Sequence, residues 1–326
     1  LVQWLVDHGH TVFTVSYRNP DALLRGVGFD DYLRDGLLAS LNAIGDITGA
    51  TQVNLCGACM GGLLALMLAA WLPDDQVPAV ASVSAASALV DFTDISEAAA
   101  SGLAGRLLRG PGLGLLEAML AWRGVTAGRD LEAFFRFLLP NELVWRYVSE
   151  NWLMGREPCA SGLLSWNADT MNVPHRAQSY LLRELCVNNA FAQGTAELAG
   201  RRTEPSRVTQ DVFLVAARED HIIPWQWSYR TAALLPGDVR FCLTPGGHIA
   251  GVVAPPHAGA HCWMGDHQFI RDPETWLNEA TEHHDTWWNA WLRWLAPRSG
   301  PQRAAPPLGS TRYPPAEPAP GVYVHT

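Results

Sequence analysis

The stretch whose reading decides the fold is Asn54-Leu55-Cys56-Gly57-Ala58-Cys59-Met60-Gly61-Gly62. An apolar strand begins at Val53-Leu55 and ends at Gly57, and Gly61-Gly62 opens a strongly apolar helix that runs to Leu72. Between them, Gly57-Ala58-Cys59-Met60-Gly61 has the glycine-x-nucleophile-x-glycine form. Such a turn is sharp and strained, and it lifts one side chain above the carboxyl end of a sheet. Small residues two positions on either side let the chain segments pass closely. The backbone N–H after the nucleophile, here that of Met60, then points at a developing oxyanion. A helix N-terminus also favours the anionic form of a thiol placed there. Two other readings fit the same letters. Cys56-Gly57-Ala58-Cys59 is a C-x-x-C between strand and helix, the placement of a dithiol redox site, and a buried structural cysteine also suits a glycine-rich turn.

Working outward, Thr11 to Tyr17 (TVFTVSY) reads as a strand between Gly9 and Asn19-Pro20. Asp30 to Ile47 has helical spacing, with Leu33, Leu37, Leu38, Leu41 and Ile44 on one face. Val80 to Ala86 reads as a third strand, completing βαβαβ and predicting a parallel sheet covered on both faces. From about Thr93 to Pro205 helical segments dominate, at Gly105 to Trp122, Leu131 to Phe137, Leu143 to Trp152 and Arg176 to Gln193. Strands resume at Asp211 to Ala217 and Val239 to Leu243, and a tryptophan-rich helix is predicted over Glu274 to Leu295. The predicted organisation is therefore a core in two parts, 1–92 and 206–296, a helical insertion at 93–205, and a Pro-rich tail at 297–326. Leu1 to Asp7 reads as the middle of an amphipathic helix, so the chain is expected to be a fragment missing its N-terminal part.

Composition excludes several functions. The 326 residues carry a net charge of −9, a poor match to nucleic acid. All 23 basic residues are arginine, which excludes a P-loop lysine and a Schiff-base lysine. The longest apolar run, Leu63 to Leu72, is far short of the ~20 residues that span a bilayer. Six cysteines in a chain of this length read as reduced thiols of a cytosolic protein rather than a disulfide framework.

Two later loops complete a constellation. Arg218-Glu219-Asp220-His221 follows the strand at 211–217, and Gly246-Gly247-His248 follows the strand at 239–243. Alone, Asp220 reads equally as a helix-capping acid and His248 as a solvated loop residue. Together with Cys59 they give the chain order nucleophile, acid, base, which is that of the α/β-hydrolase class. His257, His261 and His267 share a loop with Cys262 and Asp266, but their spacing matches no closed zinc pattern, and no metal is expected.

These residues resemble a known family. The elbow with Cys in place of Ser, Arg218 to Trp225 (REDHIIPW), Gly246 to Pro256 (GGHIAGVVAPP), Leu164 to Asp169 and the segment His10 to Asp21 are similar to polyhydroxyalkanoate synthases of the single-subunit kind. The resemblance covers nearly the whole chain, including Leu308 to Val324. It implies an α/β-hydrolase fold with an inserted helical cap, and a catalytic Cys59, His248 and Asp220 with Met60 as oxyanion donor. It further implies that His221, Trp166 and Trp225 lie near the site, and Ala250, two residues beyond His248, is a candidate for sensing the substrate side chain. The implied activity is polymerisation of (R)-3-hydroxyacyl-coenzyme A with release of coenzyme A, and no cofactor is implied. The implied partners are the growing polyester and a granule surface in the cytoplasm, and the implied assembly is a homodimer. The competing functions on the same residues are a thioesterase or depolymerase, a non-catalytic granule-associated paralogue, and a dithiol oxidoreductase using Cys56 and Cys59. Family elbows do not require Cys56.

Overall fold

The structure is a computed structural model and describes residues 1–94, 111–131, 154, 169–265, 272–319 and 321–322. The chain divides into two compact units. One comprises Leu1–Ser16, Asp30–Ala98 and Glu184–Thr326, and the other Tyr17–Phe29 and Ala99–Arg183.

The first unit is built on a six-stranded sheet whose spatial order follows the chain: β1 Gln52–Ala58, β2 Ala79–Ala86, β3 Asp211–Ala217, β4 Val239–Thr244, β5 Cys262–Met264 and β6 Thr281–His283. The first four strands are parallel, and β5 and β6 run antiparallel to their neighbours. Register pairs Gly57 with Ala85, Ala86 with Val215 and Ala217 with Thr244. The loops that leave β1, β3 and β4 therefore emerge along one edge, and these are the loops that carry Cys59, Asp220 and His248.

Two helices explain why the sheet is stable. Met60–Trp71 is apolar on all sides and buried from Gly62 onward, as expected of a helix enclosed by protein. Trp287–Leu295 begins at Thr286, whose hydroxyl accepts from the Trp288 N–H at 3.3 Å. It buries Trp287, Trp288, Trp291 and Trp294 against Phe213, Val215, Cys242 and Cys262. The Trp291 indole N–H donates to the Ser84 hydroxyl at 2.8 Å, tying this helix to β2.

Several sequence expectations need correction. Thr11 to Tyr17 forms no ladder with any described strand, and Phe13, Val15 and Tyr17 are exposed. β-propensity supplies a strand only where a neighbour accepts its backbone bonds. The expected helix over Glu274 to Leu295 is interrupted. Pro273–Glu279 is helical, Ala280 turns extended with ψ 143°, and Thr281–His283 pairs with β5 before the chain re-enters a helix at Trp287. The ladder bonds offered by β5 override helical spacing there.

In the 93–205 region the hairpin Ala196–Leu198/Arg201–Thr203 falls in the first unit. The helix expected at Leu143 to Trp152 lies outside the described residues, as does that at Leu131 to Phe137 apart from Leu131. Within the second unit, the helix Pro111–Arg123 presents Glu117, which accepts from Ser179 Oγ at 2.7 Å and pairs with Arg183. Asn172 accepts from the Gly128 N–H and donates to the Pro20 carbonyl, which fixes residues near 20 in this unit. Among the described residues, no helix is long and apolar enough to cross a membrane.

Trp291 is 1% exposed and Trp122 is 84% exposed. Trp291→Ala is expected to cost about 3–5 kcal/mol in a denaturant titration. Trp122→Ala should stay within about 0.5 kcal/mol of the parent. Equal losses would contradict this account of the core.

Candidate active site

Cys59 sits between β1 and the following helix with φ 52° and ψ −120°, a left-handed conformation that a non-glycine residue adopts at a cost of about 1–3 kcal/mol. Its N–H donates to the Ala86 carbonyl at 2.8 Å, and its own carbonyl accepts from Gly62 and Leu63, opening the helix. Gly57 makes the turn possible: a Cβ there would lie 2.7 Å from the Gly62 nitrogen and closer still to the Gly61 carbonyl. The glycine that matters on the helix side is Gly62, whose Cβ would meet Ala88 at 2.8 Å, whereas Gly61 faces open space. The expectation that Gly61 is needed for close passage is therefore corrected. Met60 is the first helical residue, so its N–H has no acceptor within the helix.

Asp220 ends a tight turn after β3 and is buried. One carboxylate oxygen accepts from the backbone N–H groups of Ile222 and Ile223 at 2.9 and 2.8 Å. The other accepts from His248 Nδ1 at 2.7 Å. With Nδ1 so used, the Nε2 edge is left for the thiol. Burial alone pushes His248 towards its neutral form. The adjoining Asp220 carboxylate and Cys59 sulfur outweigh burial and raise its pKa from 6.5 to about 9. The three residues that the sequence placed in separate loops are thus brought into one interacting group.

The two loops are stitched together by Glu219, a residue the sequence reading passed over. Its N–H donates to the Gly246 carbonyl at 3.1 Å, and its carboxylate accepts from the Gly246 N–H. Gly246 has φ 95°, a conformation that explains the glycine before His248. The signal was present as an acid adjoining Asp220, but nothing in the sequence gave it a partner. Ser87, at φ 43° just beyond β2, had no legible signal at all. Its N–H donates to the Val215 carbonyl at 2.7 Å.

The remaining candidates fall as follows. Ala250 is exposed and begins the one-turn helix Ala250–Val253, two residues beyond His248. His221 is half-buried next to Asp220. Trp225 is buried in an aromatic cluster with Tyr229, Phe241 and Trp276, which accounts for it by packing. Trp166 lies outside the described residues, as do Asp266 and His267. His257 and His261 each bond a backbone carbonyl of their own turn through Nδ1. Cys262 is buried in β5. Cys56 and Cys59 are both free thiols. Cys56 is exposed in β1.

Residues 2–255 match the family described as alpha/beta hydrolase fold. The chain belongs to this family. The resemblance read from the sequence also extends across nearly its whole length. It is 37% identical to the poly(3-hydroxyalkanoate) polymerase subunit PhaC of Cupriavidus necator over 99% of this chain and 55% of that protein. It is 36% identical to poly(3-hydroxyalkanoate) polymerase 2 of Ectopseudomonas oleovorans over 100% of this chain and 57% of that protein. The polymerase of Methylorubrum extorquens is 34% identical over 99% and 53%. The chain thus spans about half the length of the curated relatives it matches.

Gly57→Ala and Gly62→Ala are each expected to destabilise by about 1–3 kcal/mol, as overpacking does, while Gly61→Ala is tolerated. Thermal melts of the three variants test this, and a destabilised Gly61→Ala beside a tolerated Gly57→Ala would overturn it. Because the folded-state pKa of His248 is raised, its protonation favours the fold fully below pH 6.5, and that contribution is lost as pH rises through about 9. In Asp220→Asn, burial acts with less opposition. His248 should then titrate well below its wild-type value by NMR; an unchanged midpoint would contradict the assignment.

Proposed function

We propose that this chain is the catalytic part of a polyester synthase that polymerises (R)-3-hydroxyacyl-coenzyme A through an acyl thioester on Cys59. One observation carries the reading: a cysteine at a strained elbow shares one interacting group with a buried His248–Asp220 pair. That group sits in a chain similar over almost its full length to poly(3-hydroxyalkanoate) polymerases.

The chemistry gives a reason for sulfur. With its pKa raised to about 9, His248 rests as an imidazolium that Asp220 stabilises and that favours the Cys59 thiolate. The thiolate attacks the thioester carbonyl while the Met60 N–H faces the oxyanion. The tetrahedral species then collapses, the carbonyl carbon–sulfur bond to coenzyme A breaks, and the departing thiolate collects the proton held by the His248 imidazolium. One thiolate has replaced another of similar basicity, so the step is close to balanced and the acyl group stays activated. A serine would drop it to a less reactive oxygen ester. The 3-hydroxyl of a second acyl group next attacks the Cys59 thioester, giving up its proton to His248 or Asp220, forming an oxoester and returning the Cys59 thiolate. The strand-edge arrangement fits this use, since the three side chains lie beyond the carboxyl ends of β1, β3 and β4. The same reading makes the growing polyester the product and its granule surface in the cytoplasm the place of work. The resemblance to that family further implies a homodimer as the working assembly.

The test gives the protein that carries this chain (R)-3-hydroxybutyryl-coenzyme A and follows both thiol release and the acyl product. Thiol release with insoluble polyester, lost in Cys59→Ala by at least about 10³-fold, is the expected result. Thiol release with only free 3-hydroxybutyrate would make the site a thioesterase. Release that survives Cys59→Ala would remove Cys59 from the mechanism.

A further inference from the structure

The one-turn helix Ala250–Val253 follows directly on His248, and its end is held in an unusual way. The indole N–H groups of Trp287 and Trp288 both donate to a single oxygen, the Val252 carbonyl, at 3.1 and 3.2 Å. Consecutive helical residues point ~100° apart, so two neighbours seldom reach one atom. Here the rings stand at 79° to each other with centroids 6.3 Å apart, and they close on the oxygen from two sides. A carbonyl at a helix C-terminus lacks an intrahelical donor and has two lone pairs to fill. Both donors are buried, Trp287 at 5% and Trp288 at 2% exposure. Packing holds the rings in turn: Trp4 meets Trp288 edge-on at 5.4 Å, and Trp291 lies against Trp287 at 5.6 Å.

The anchored carbonyl lies four residues beyond His248. Across this turn, Gly251 N–H donates to the carbonyl of Gly247, just before His248, at 2.8 Å, and Val252 N–H to the Ile249 carbonyl at 3.0 Å. Gly251 is wedged against Ala217, at the end of the strand that leads to Asp220. The turn is therefore a rigid link. A shift of the Val252 carbonyl is passed to the backbone of His248, while Asp220 is held separately by Ile222 and Ile223.

We infer that Trp287 and Trp288 are positioning residues for the general base: their paired indoles fix the Val252 carbonyl and so hold the His248 ring between Asp220 and Cys59. The inference rests on the catalytic reading given above for its kinetic arm, but not for its spectroscopic arm. Packing alone would need the rings and not the two N–H groups.

The experiment uses Trp287→Phe, Trp288→Phe and the double variant. A second set carries β-(3-benzothienyl)alanine at the same positions, which keeps the bicyclic shape and lacks the N–H. Each single change leaves one donor and should cost less than about threefold in kcat, whereas the double change should cost about tenfold or more with KM unchanged. In the substrate-free protein, the downfield proton of the His248–Asp220 bond should shift or broaden in the double variant only. A double benzothienyl variant with wild-type kcat and an unmoved His248 proton would overturn the inference. So would additive losses from the two single changes. If the wild type turns over no acyl-coenzyme A, the functional reading fails, and the proton signal alone still decides whether the two indoles position His248.

Discussion

The close crossing of Gly57 over the Gly61–Gly62 peptide is the constraint on which the site depends. The turn from β1 into the helix is so tight that no Cβ fits at Gly57, and Cys59 is forced to a positive φ. That strain persists because the surroundings over-determine it. The Cys59 N–H is fixed to the end of β2, and its carbonyl starts a helix that is buried for most of its length. The strength of the apolar core is thus applied at one residue. The result is a thiol held above the sheet edge with a helix N-terminus beneath it.

The second requirement is electrostatic. His248 and Asp220 come from different loops, and their bond is useful only if both backbones are fixed independently. Asp220 is fixed by two N–H groups of its own turn. The His248 loop is fixed by Glu219 on one side and by the tryptophan helix on the other. Buried in this way, the pair would be costly if incomplete, since burial opposes the imidazolium that the proposed mechanism needs. The carboxylate and the sulfur together reverse that opposition. The aromatic content of the last third of the chain therefore serves both packing and alignment.

How much of this was legible follows from what each signal depends on. The strand-turn-helix around Cys59 and the strands Asp211–Ala217 and Val239–Thr244 are read from local sequence because short apolar runs bounded by turn residues are local facts. The order of Cys59, Asp220 and His248 is equally local, and the structure places them together. What failed depended on partners. Thr11 to Tyr17 has the letters of a strand but forms no ladder with any described strand, and Thr281–His283 lies inside a helical pattern but is drawn into β6 by β5. Gly61 and Gly62 look alike in sequence, and only the approach of Ala88 and Ala85 distinguishes them. Glu219 and the Trp287–Trp288 pair act through backbone atoms of another loop, which no residue spacing reveals.

The central claim is that Cys59 carries the acyl group, and mass spectrometry of the protein quenched within the first turnovers tests it directly. On mixing with (R)-3-hydroxyacyl-coenzyme A, the account predicts an adduct one acyl unit or more in mass, mapped to the peptide that contains Cys59 and absent from Cys59→Ala. An adduct mapped to Cys56 or another residue would contradict it, as would coenzyme A release with Cys59 left unmodified throughout.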